Sequence, residues 1–143
     1  MNTTALHKIN GLIPHRPPML LVDELICLEN GQAASRTVFP LNSPFVNQEG
    51  LVEEAALFEM MAQTFAAGVA AGNEGPGPSA GYLAGVKRLV FSGRARAGEP
   101  VEVKVKIVSV IDDFYVVEGR ASQEGESLAS GQITVYVPEE GPK

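Results

Sequence analysis

The sequence has few of the residues that build disulfide bridges and metal sites. Its 143 residues include one cysteine, Cys27, two histidines and no tryptophan. A single cysteine cannot close an internal disulfide, and with no histidine near it in the chain it cannot anchor a metal site. The first ten residues contain no apolar segment of the signal-peptide type. We therefore expect a cytoplasmic protein that uses neither a metal nor another cofactor.

Positive charge is also scarce. Eleven Lys and Arg stand against seventeen Asp and Glu, a net charge of −6, which argues against nucleic acid or an anionic membrane as the partner. Hydrophobic residues make up 45% and charged residues 20% of the chain, as in an ordinary soluble globule. The length predicts a single domain over residues 1–143. We expect its core at about 13–137 and a flexible polar tail at 138–143.

One long apolar run, residues 51–71, has the length of a membrane span. Glu53 and Glu54 open this run, Glu59 lies inside it and alanine supplies much of its apolar character, so lipid is an unfavourable environment for it. A helix that is apolar on nearly all sides is instead typical of a soluble core. This run therefore predicts one long buried helix, beginning after Gly50 and ending at Gly72.

The segments around this helix have the patterns of β-strands, two before it and four after it. They lie at residues 19–28, 32–39, 82–91, 101–107, 114–122 and 127–137. The alternation of apolar and polar residues breaks at Ile107-Val108, which indicates a β-bulge. This order predicts an α+β fold in which a sheet wraps around one central helix.

Glu59 and His15 are the candidates for catalytic chemistry. A carboxylate two turns into the most apolar helix is costly unless it has partners, and such a group is a candidate general acid. The alternative is a helix-surface Glu that is hydrogen-bonded to Gln63. His15 lies in a proline-rich stretch that cannot be helical, so it is either a surface spacer or a group whose position matters.

Three motifs resemble those of the hotdog-fold β-hydroxyacyl-(acyl carrier protein) dehydratases. Residues 13–23 read Ile-Pro-His-Arg-Pro-Pro-Met-Leu-Leu-Val-Asp, residues 59–63 read Glu-Met-Met-Ala-Gln and residues 85–91 read Gly-Val-Lys-Arg-Leu-Val-Phe. The similarity extends over about residues 13–137. It implies a hotdog fold, a curved antiparallel sheet around one long helix, and a homodimer or higher homo-oligomer formed by continuation of the sheet.

The sequence departs from this family in one segment. Members usually carry Gly-His-Phe-Pro-Gly between the second strand and the helix, and that histidine is the catalytic base. Residues 42–53 here read Asn-Ser-Pro-Phe-Val-Asn-Gln-Glu-Gly-Leu-Val-Glu, without a histidine. The resemblance therefore assigns the acid to Glu59 but leaves the base open between His15, a water held by Asn47, and no base at all.

The expected substrate is a 3-hydroxyacyl thioester on an acyl carrier protein or coenzyme A, from which water is eliminated to give a trans-2-enoyl thioester in fatty-acid or polyene-type biosynthesis. The N–H groups of residues 50–53 are expected to hold the thioester oxygen. The predicted substrate-binding residues are Phe45, Asn47, Gly50, Leu51, Gln63, Gly85 and Val86. Two alternatives remain: an acyl thioesterase, and a non-catalytic subunit that pairs with an active dehydratase.

Docking of an acidic carrier protein on this acidic chain requires a local cluster of cations. The resemblance places five cations near the mouth of the acyl tunnel, namely Arg16, Lys87, Arg88, Arg94 and Arg96. These residues are the predicted carrier-docking surface. The alternative is that they are ordinary surface charges that keep the protein soluble.

Overall fold

The computed structural model describes residues 7–8, 12–29, 31–72 and 82–138. Along the chain these residues form seven strands and one helix: β1 (His7–Lys8), β2 (Glu24–Glu29), β3 (Gln32–Thr37), α1 (Glu54–Gly72), β4 (Tyr82–Phe91), β5 (Val101–Ile111), β6 (Phe114–Gln123) and β7 (Glu126–Tyr136). The predicted order of two strands, a helix and four strands is confirmed. Of the expected tail at 138–143, all but residue 138 lies outside the described residues.

The strands form a single antiparallel sheet in the order β1-β2-β3-β5-β6-β7-β4. Its edges are the two-residue strand β1 and the ten-residue strand β4. The predicted break in β5 is confirmed, because the pairing with β6 shifts between Ile107 and Ser109. Strand β1 was not predicted. Two residues are too few for a periodic pattern, and β1 forms only because His7 and Lys8 pair with Leu25 and Glu24.

Several predicted boundaries are wrong. Strand β5 runs to Ile111 instead of ending at residue 107, and β3 ends at Thr37 instead of residue 39. Two other errors lie at the starts of β2 and of the helix. The first predicted strand began at residue 19, but β2 begins at Glu24, since residues 16–20 form a turn in which Met19 and Leu20 donate hydrogen bonds to the carbonyl of Arg16. The helix begins at Glu54 rather than after Gly50. Leu51 and Val52 are instead extended and form bridges to neighbouring segments, so their apolar side chains belong to the loop before the helix.

Helix α1 lies against the concave side of the sheet and is buried over most of its length. Met60, Met61 and Ala66 are fully buried, which agrees with the prediction of a helix that is apolar on nearly all sides. Each large side chain of this kind stabilises the fold by roughly 1.5–3 kcal/mol relative to exposure. Helix α1, the one helix among the described residues, is not long and apolar enough to cross a membrane.

The helix approaches the sheet closely where small residues face each other. A Cβ placed on Gly68 would lie 2.8 Å from the Cβ of Ala33 in β3, and one placed on Gly119 would lie 2.9 Å from the Cγ of Met61. Both glycines therefore set the distance between helix and sheet. This close packing fixes the position of the helix face that carries Glu59.

Candidate functional site

The candidate site is built around Glu59 and Gln63, one turn apart on helix α1. The amide nitrogen of Gln63 donates to Oε2 of Glu59 at 3.2 Å and to the carbonyl of Met19 at 3.0 Å. Its amide oxygen accepts the N–H of Leu21 at 2.8 Å. Gln63 is 1% exposed, so this buried amide ties the segment before β2 to the helix and holds one oxygen of the carboxylate.

His15 is presented by the turn that precedes β2. The guanidinium of Arg16 donates to the carbonyls of Ile13 at 2.9 Å and His15 at 2.7 Å. Ile13 is buried in the core, so the turn is anchored beneath the histidine. The predicted carrier-docking residue Arg16 therefore also stabilises the loop that carries the candidate base.

The structure brings His15 and Glu59 together. Nε2 of His15 lies 3.8 Å from Oε2 of Glu59, and the two side chains are 23% and 37% exposed. At this separation they can form an ion pair when the imidazole is protonated, but they do not form a direct hydrogen bond. Nδ1 of His15 is buried and has no hydrogen-bond partner within the described residues.

The two contacts of Glu59, with Gln63 and with His15, answer one question that the sequence left open. Glu59 is hydrogen-bonded to Gln63, which is the contact expected for a structural glutamate on the helix surface. It also lies beside the imidazole of His15, which suits a role in acid–base catalysis. The arrangement places an acid and a base side by side, and both side chains are partly exposed to solvent. Such a pair can move protons to and from a bound molecule.

The loop before the helix does not offer the free N–H donors that we expected. The N–H of Gly50 binds the carbonyl of Asn47, that of Val52 binds Ala95 and that of Glu53 binds Phe45, while the N–H of Leu51 binds Oδ1 of Asn47 at 3.0 Å. The expectation was wrong because residues 50–53 are not the first turn of the helix. The N–H groups that lack intrahelical partners belong to the turn that begins at Glu54.

Asn47 has a structural role in this loop. Its side-chain oxygen accepts the N–H groups of Glu49 and Leu51 at 2.9 and 3.0 Å, and its own N–H donates to the carbonyl of Leu51. These bonds close a tight turn ahead of the helix. Asn47 was considered as a holder of catalytic water, but its side-chain oxygen already accepts two backbone N–H groups.

The remaining substrate-binding candidates lie in two places. Phe45 is half-buried in the loop before the helix and packs against the core. Gly85 and Val86 lie on the edge strand β4, opposite Thr134 and Ile133 of β7. Glu59 contacts both Gln63 and His15, whereas Asn47, Gly50 and Leu51 bond to one another in the loop before the helix.

Besides Arg16, two more of the predicted docking cations have partners within the chain. Arg96 binds the carboxylates of Glu99 at 2.9 Å and Glu124 at 2.5 Å. The hydrogen bond from Arg96 lowers the pKa of Glu99, and the hydrogen bond between Glu99 and Glu124 raises the pKa of Glu124. Arg94 donates to the carbonyl of Val52 at 3.4 Å. The charge of Arg96 is thus compensated locally, whereas Lys87 and Arg88 are exposed on β4.

Solved structures with this fold define the class of the protein. One is the dehydratase heterocomplex ApeI:P from Xenorhabdus doucetiae, with a TM-score of 0.84, 23% identity and coverage of 93% of this chain and 92% of that one. Another is a hypothetical thioesterase with coenzyme A from Streptococcus pneumoniae, with a TM-score of 0.64, 14% identity and coverage of 82% and 90%. The chain has the hotdog fold that was predicted, an α+β fold shared by dehydratases and thioesterases.

Sequence comparison then defines the family. The profile of the ApeP-like family, described as ApeP dehydratase, matches residues 7–143, and the chain belongs to this family. Among curated proteins, the 3-hydroxyacyl-[acyl-carrier-protein] dehydratase FabZ of Oceanobacillus iheyensis is 28% identical over 138 residues, which cover 92% of this chain and 97% of that protein. The corresponding enzyme of Latilactobacillus sakei is 27% identical over 135 residues, which cover 91% and 96%.

These similarities confirm the function class predicted from the motifs. The chain is a 3-hydroxyacyl-thioester dehydratase-like protein. The thioesterase neighbours, at identities such as 14% and 22%, share only the fold, whereas the match to the ApeP dehydratase family favours the dehydratase over the alternative.

Proposed function

We propose that this chain eliminates water from 3-hydroxyacyl thioesters carried by an acyl carrier protein, with Glu59 as the acid and His15 as the base. The observation that carries the proposal is the 3.8 Å separation of His15 Nε2 and Glu59 Oε2. The chain lacks a histidine at residues 42–53, and His15 places an imidazole beside the helix carboxylate from another part of the fold.

The reaction needs one proton removed and one supplied. His15 takes the proton from the carbon next to the thioester carbonyl, and the electron pair of that C–H bond forms the new double bond. The bond from the β-carbon to the hydroxyl oxygen breaks while Glu59 gives that oxygen a proton, and water leaves. The imidazolium and the carboxylate then lie close enough to exchange the proton through one water, which restores both groups.

Gln63 is the positioning residue in this scheme. Its bond to Oε2 of Glu59 and its two bonds to the backbone of the 13–21 segment fix the carboxylate relative to the turn that carries His15. A buried amide with defined partners on both sides cannot rotate freely, so the acid and the base keep their spacing.

The edge strand β4 supports a homodimer formed by continuation of the sheet. Leu89, Val90 and Phe91 are 47%, 54% and 40% exposed, and the outer side of β4 has no neighbouring strand within the described residues. A long apolar edge of this kind is a ready site for pairing with another chain. Phe91 also contacts Phe58 of the helix, so a partner on this edge would lie next to the residue before Glu59.

A second candidate function is that of a subunit that completes an active dehydratase. It is favoured by the missing histidine at residues 42–53 and by the likeness to a chain of the ApeI:P heterocomplex. In that case a different hotdog chain would occupy the β4 edge and supply the base, and this chain would contribute Glu59 or the binding surface for the carrier.

One experiment separates these functions. The purified chain is incubated with a 3-hydroxyacyl carrier thioester, and formation of the enoyl double bond is followed together with release of free thiol. Double-bond formation that falls at least about 100-fold in His15→Asn supports the proposal. Thiol release without a double bond identifies a thioesterase, and the absence of both products from a folded wild-type protein contradicts independent catalysis and favours the subunit function.

A further inference from the structure

Gln63 and Gln123 are the two buried side-chain amides among the described residues. Gln123 is the last residue of β6 and is 2% exposed. Its oxygen accepts the N–H of Arg96 at 2.9 Å, and its nitrogen donates to the carbonyls of Arg96 at 3.0 Å and Glu99 at 3.1 Å. A buried amide is costly unless its groups are bonded, and these bonds all go to the backbone of one loop. We call residues 94–99 the support loop.

The support loop is joined by main-chain hydrogen bonds to the segment before the helix. The N–H of Val52 donates to the carbonyl of Ala95 at 2.9 Å, and the N–H of Ala97 donates to the carbonyl of Gly50 at 2.9 Å. These two bonds make an antiparallel bridge between the two segments. We call residues 50–53 the entry segment, because helix α1 begins directly after it.

The other attachments of the support loop are weaker than the one that Gln123 makes. The ion pairs of the Arg96 side chain with Glu99 and Glu124 lie at the surface, and exposed pairs of this kind contribute little. One further main-chain bond runs from the N–H of Gly98 to the carbonyl of Phe39. The position of the loop relative to the sheet therefore depends mainly on the buried amide.

An amide at position 123 provides a fixed geometry that an apolar side chain cannot provide. An apolar residue of the same size would fill the same volume without needing any partner. The amide instead bonds both the N–H and the carbonyl of Arg96, so the support loop has one register against the end of β6. A fully bonded buried polar group of this kind makes the structure around it rigid.

The entry segment determines where the start of helix α1 lies, and Glu59 is close to that start. Glu59 follows Glu54, the first residue of the helix, by roughly 7.5 Å along the axis at a rise of about 1.5 Å per residue. His15 lies on a different segment, so a shift of the helix start would change the 3.8 Å separation of His15 and Glu59. A misplacement of about 1 Å caused far from the chemistry can lower a rate by up to about 100-fold.

We infer that Gln123 is a positioning residue for Glu59. Gln123 holds the support loop, the support loop holds the entry segment, and the entry segment sets the position of Glu59 relative to His15. This inference rests on the proposed function for the reaction that Glu59 serves. Gln63 holds the carboxylate directly, whereas Gln123 acts on it through two loops and the start of the helix.

The test compares the same substitution at two glutamines. Gln123→Met keeps the size of the side chain and removes its three hydrogen bonds, and the control Gln132→Met changes a half-buried residue of β7. Turnover of the N-acetylcysteamine thioester of a 3-hydroxy acid is measured for both variants. Gln123→Met is also introduced into the Glu59→Gln protein, whose residual rate is measured with enzyme in excess. Amide hydrogen exchange at Val52 and Ala97 reports the link between the two segments independently of turnover.

Gln123→Met is expected to lower kcat about tenfold, to change KM by less than about twofold, and to speed exchange at both N–H groups. Gln132→Met should behave like wild type. In the Glu59→Gln protein, Gln123→Met should change the residual rate by less than about twofold, because the acid that it positions is already absent. Equal losses in both backgrounds would show that Gln123 only stabilises the fold, and they overturn the inference, as does a wild-type kcat in folded Gln123→Met.

Two further outcomes are decided by the same measurements. If Gln123→Met does not fold, Gln123→Asn takes its place, since it keeps the amide but draws it back by one methylene group. A folded wild-type protein without turnover would count against the proposed function. Faster exchange at Val52 and Ala97 in the variant would then still support the link from Gln123 to the helix start, and unchanged exchange would overturn it.

Discussion

His15 and Glu59 come from distant parts of the sequence and meet with Nε2 of the imidazole 3.8 Å from Oε2 of the carboxylate. The contact depends on Gln63, which holds the carboxylate and fastens the segment that follows His15 to the helix. This chain belongs to the ApeP-like family and has no histidine in the loop before the helix. It nevertheless has an imidazole beside its helix carboxylate.

Glu59→Gln should abolish dehydration and leave the fold intact. The amide has the shape of the carboxyl group and can still bond to Gln63, but it cannot give a proton to the leaving hydroxyl. We expect turnover of a 3-hydroxyacyl thioester to fall by at least about 100-fold, with an unchanged urea midpoint. Wild-type turnover in this variant would reduce Glu59 to a structural residue.

Gln63→Leu should destabilise the protein and also lower turnover. The variant leaves the N–H of Leu21 and the carbonyl of Met19 without their partner, at a cost of about 1–3 kcal/mol for each buried group. Urea denaturation measures this loss. Because Gln63 positions Glu59, we expect kcat to fall more than KM rises, and a folded variant with unchanged kcat would show that the positioning role is wrong.

Gly68→Ala should destabilise the fold although alanine favours helices. The new Cβ would lie 2.8 Å from the Cβ of Ala33, which cannot move without its backbone, and overpacking of this kind costs typically 1–3 kcal/mol. Gly72→Ala is the matched control, because nothing lies within 4 Å of its new Cβ and it should be neutral or slightly stabilising. Adding Ala33→Gly to Gly68→Ala should cost less than the sum of the two single changes.

Val90→Arg should prevent association through the β4 edge. Val90 is 54% exposed on that strand, and Val110, which is 52% exposed on β5, provides a control of equal size and exposure. Light scattering should show a dimer for the wild type and for Val110→Arg, and a smaller species for Val90→Arg. A wild-type monomer at micromolar concentration would contradict the homodimer, and dissociation in both variants would place the interface elsewhere.

Cys27 should react slowly with alkylating reagents in the native protein. The residue is 4% exposed, and burial raises the pKa of its thiol, so little of the reactive thiolate is present near neutral pH. Iodoacetamide at pH 7.5 should modify the native protein far more slowly than the urea-unfolded protein. Equal rates would show that the strand carrying Cys27 opens readily.

The sequence by itself determined the order of elements and singled out Glu59 as the candidate acid. The period of two along residues 101–107 and the apolar run at 51–71 are local patterns, and local patterns follow from the geometry of strands and helices. The same reasoning applies to Glu59, since a lone carboxylate in an apolar helix is conspicuous without any knowledge of its neighbours.

Only the tertiary structure decided which residues meet. The pairing of His15 with Glu59 needs the segment before β2 to fold back onto the helix, and no local pattern encodes that long-range contact. The loop at residues 50–53 is extended because its N–H groups find acceptors on Phe45, Asn47 and Ala95. The register that sets Lys104 opposite Arg120 is also a tertiary result, since strands that are separate in sequence become neighbours only when the sheet forms.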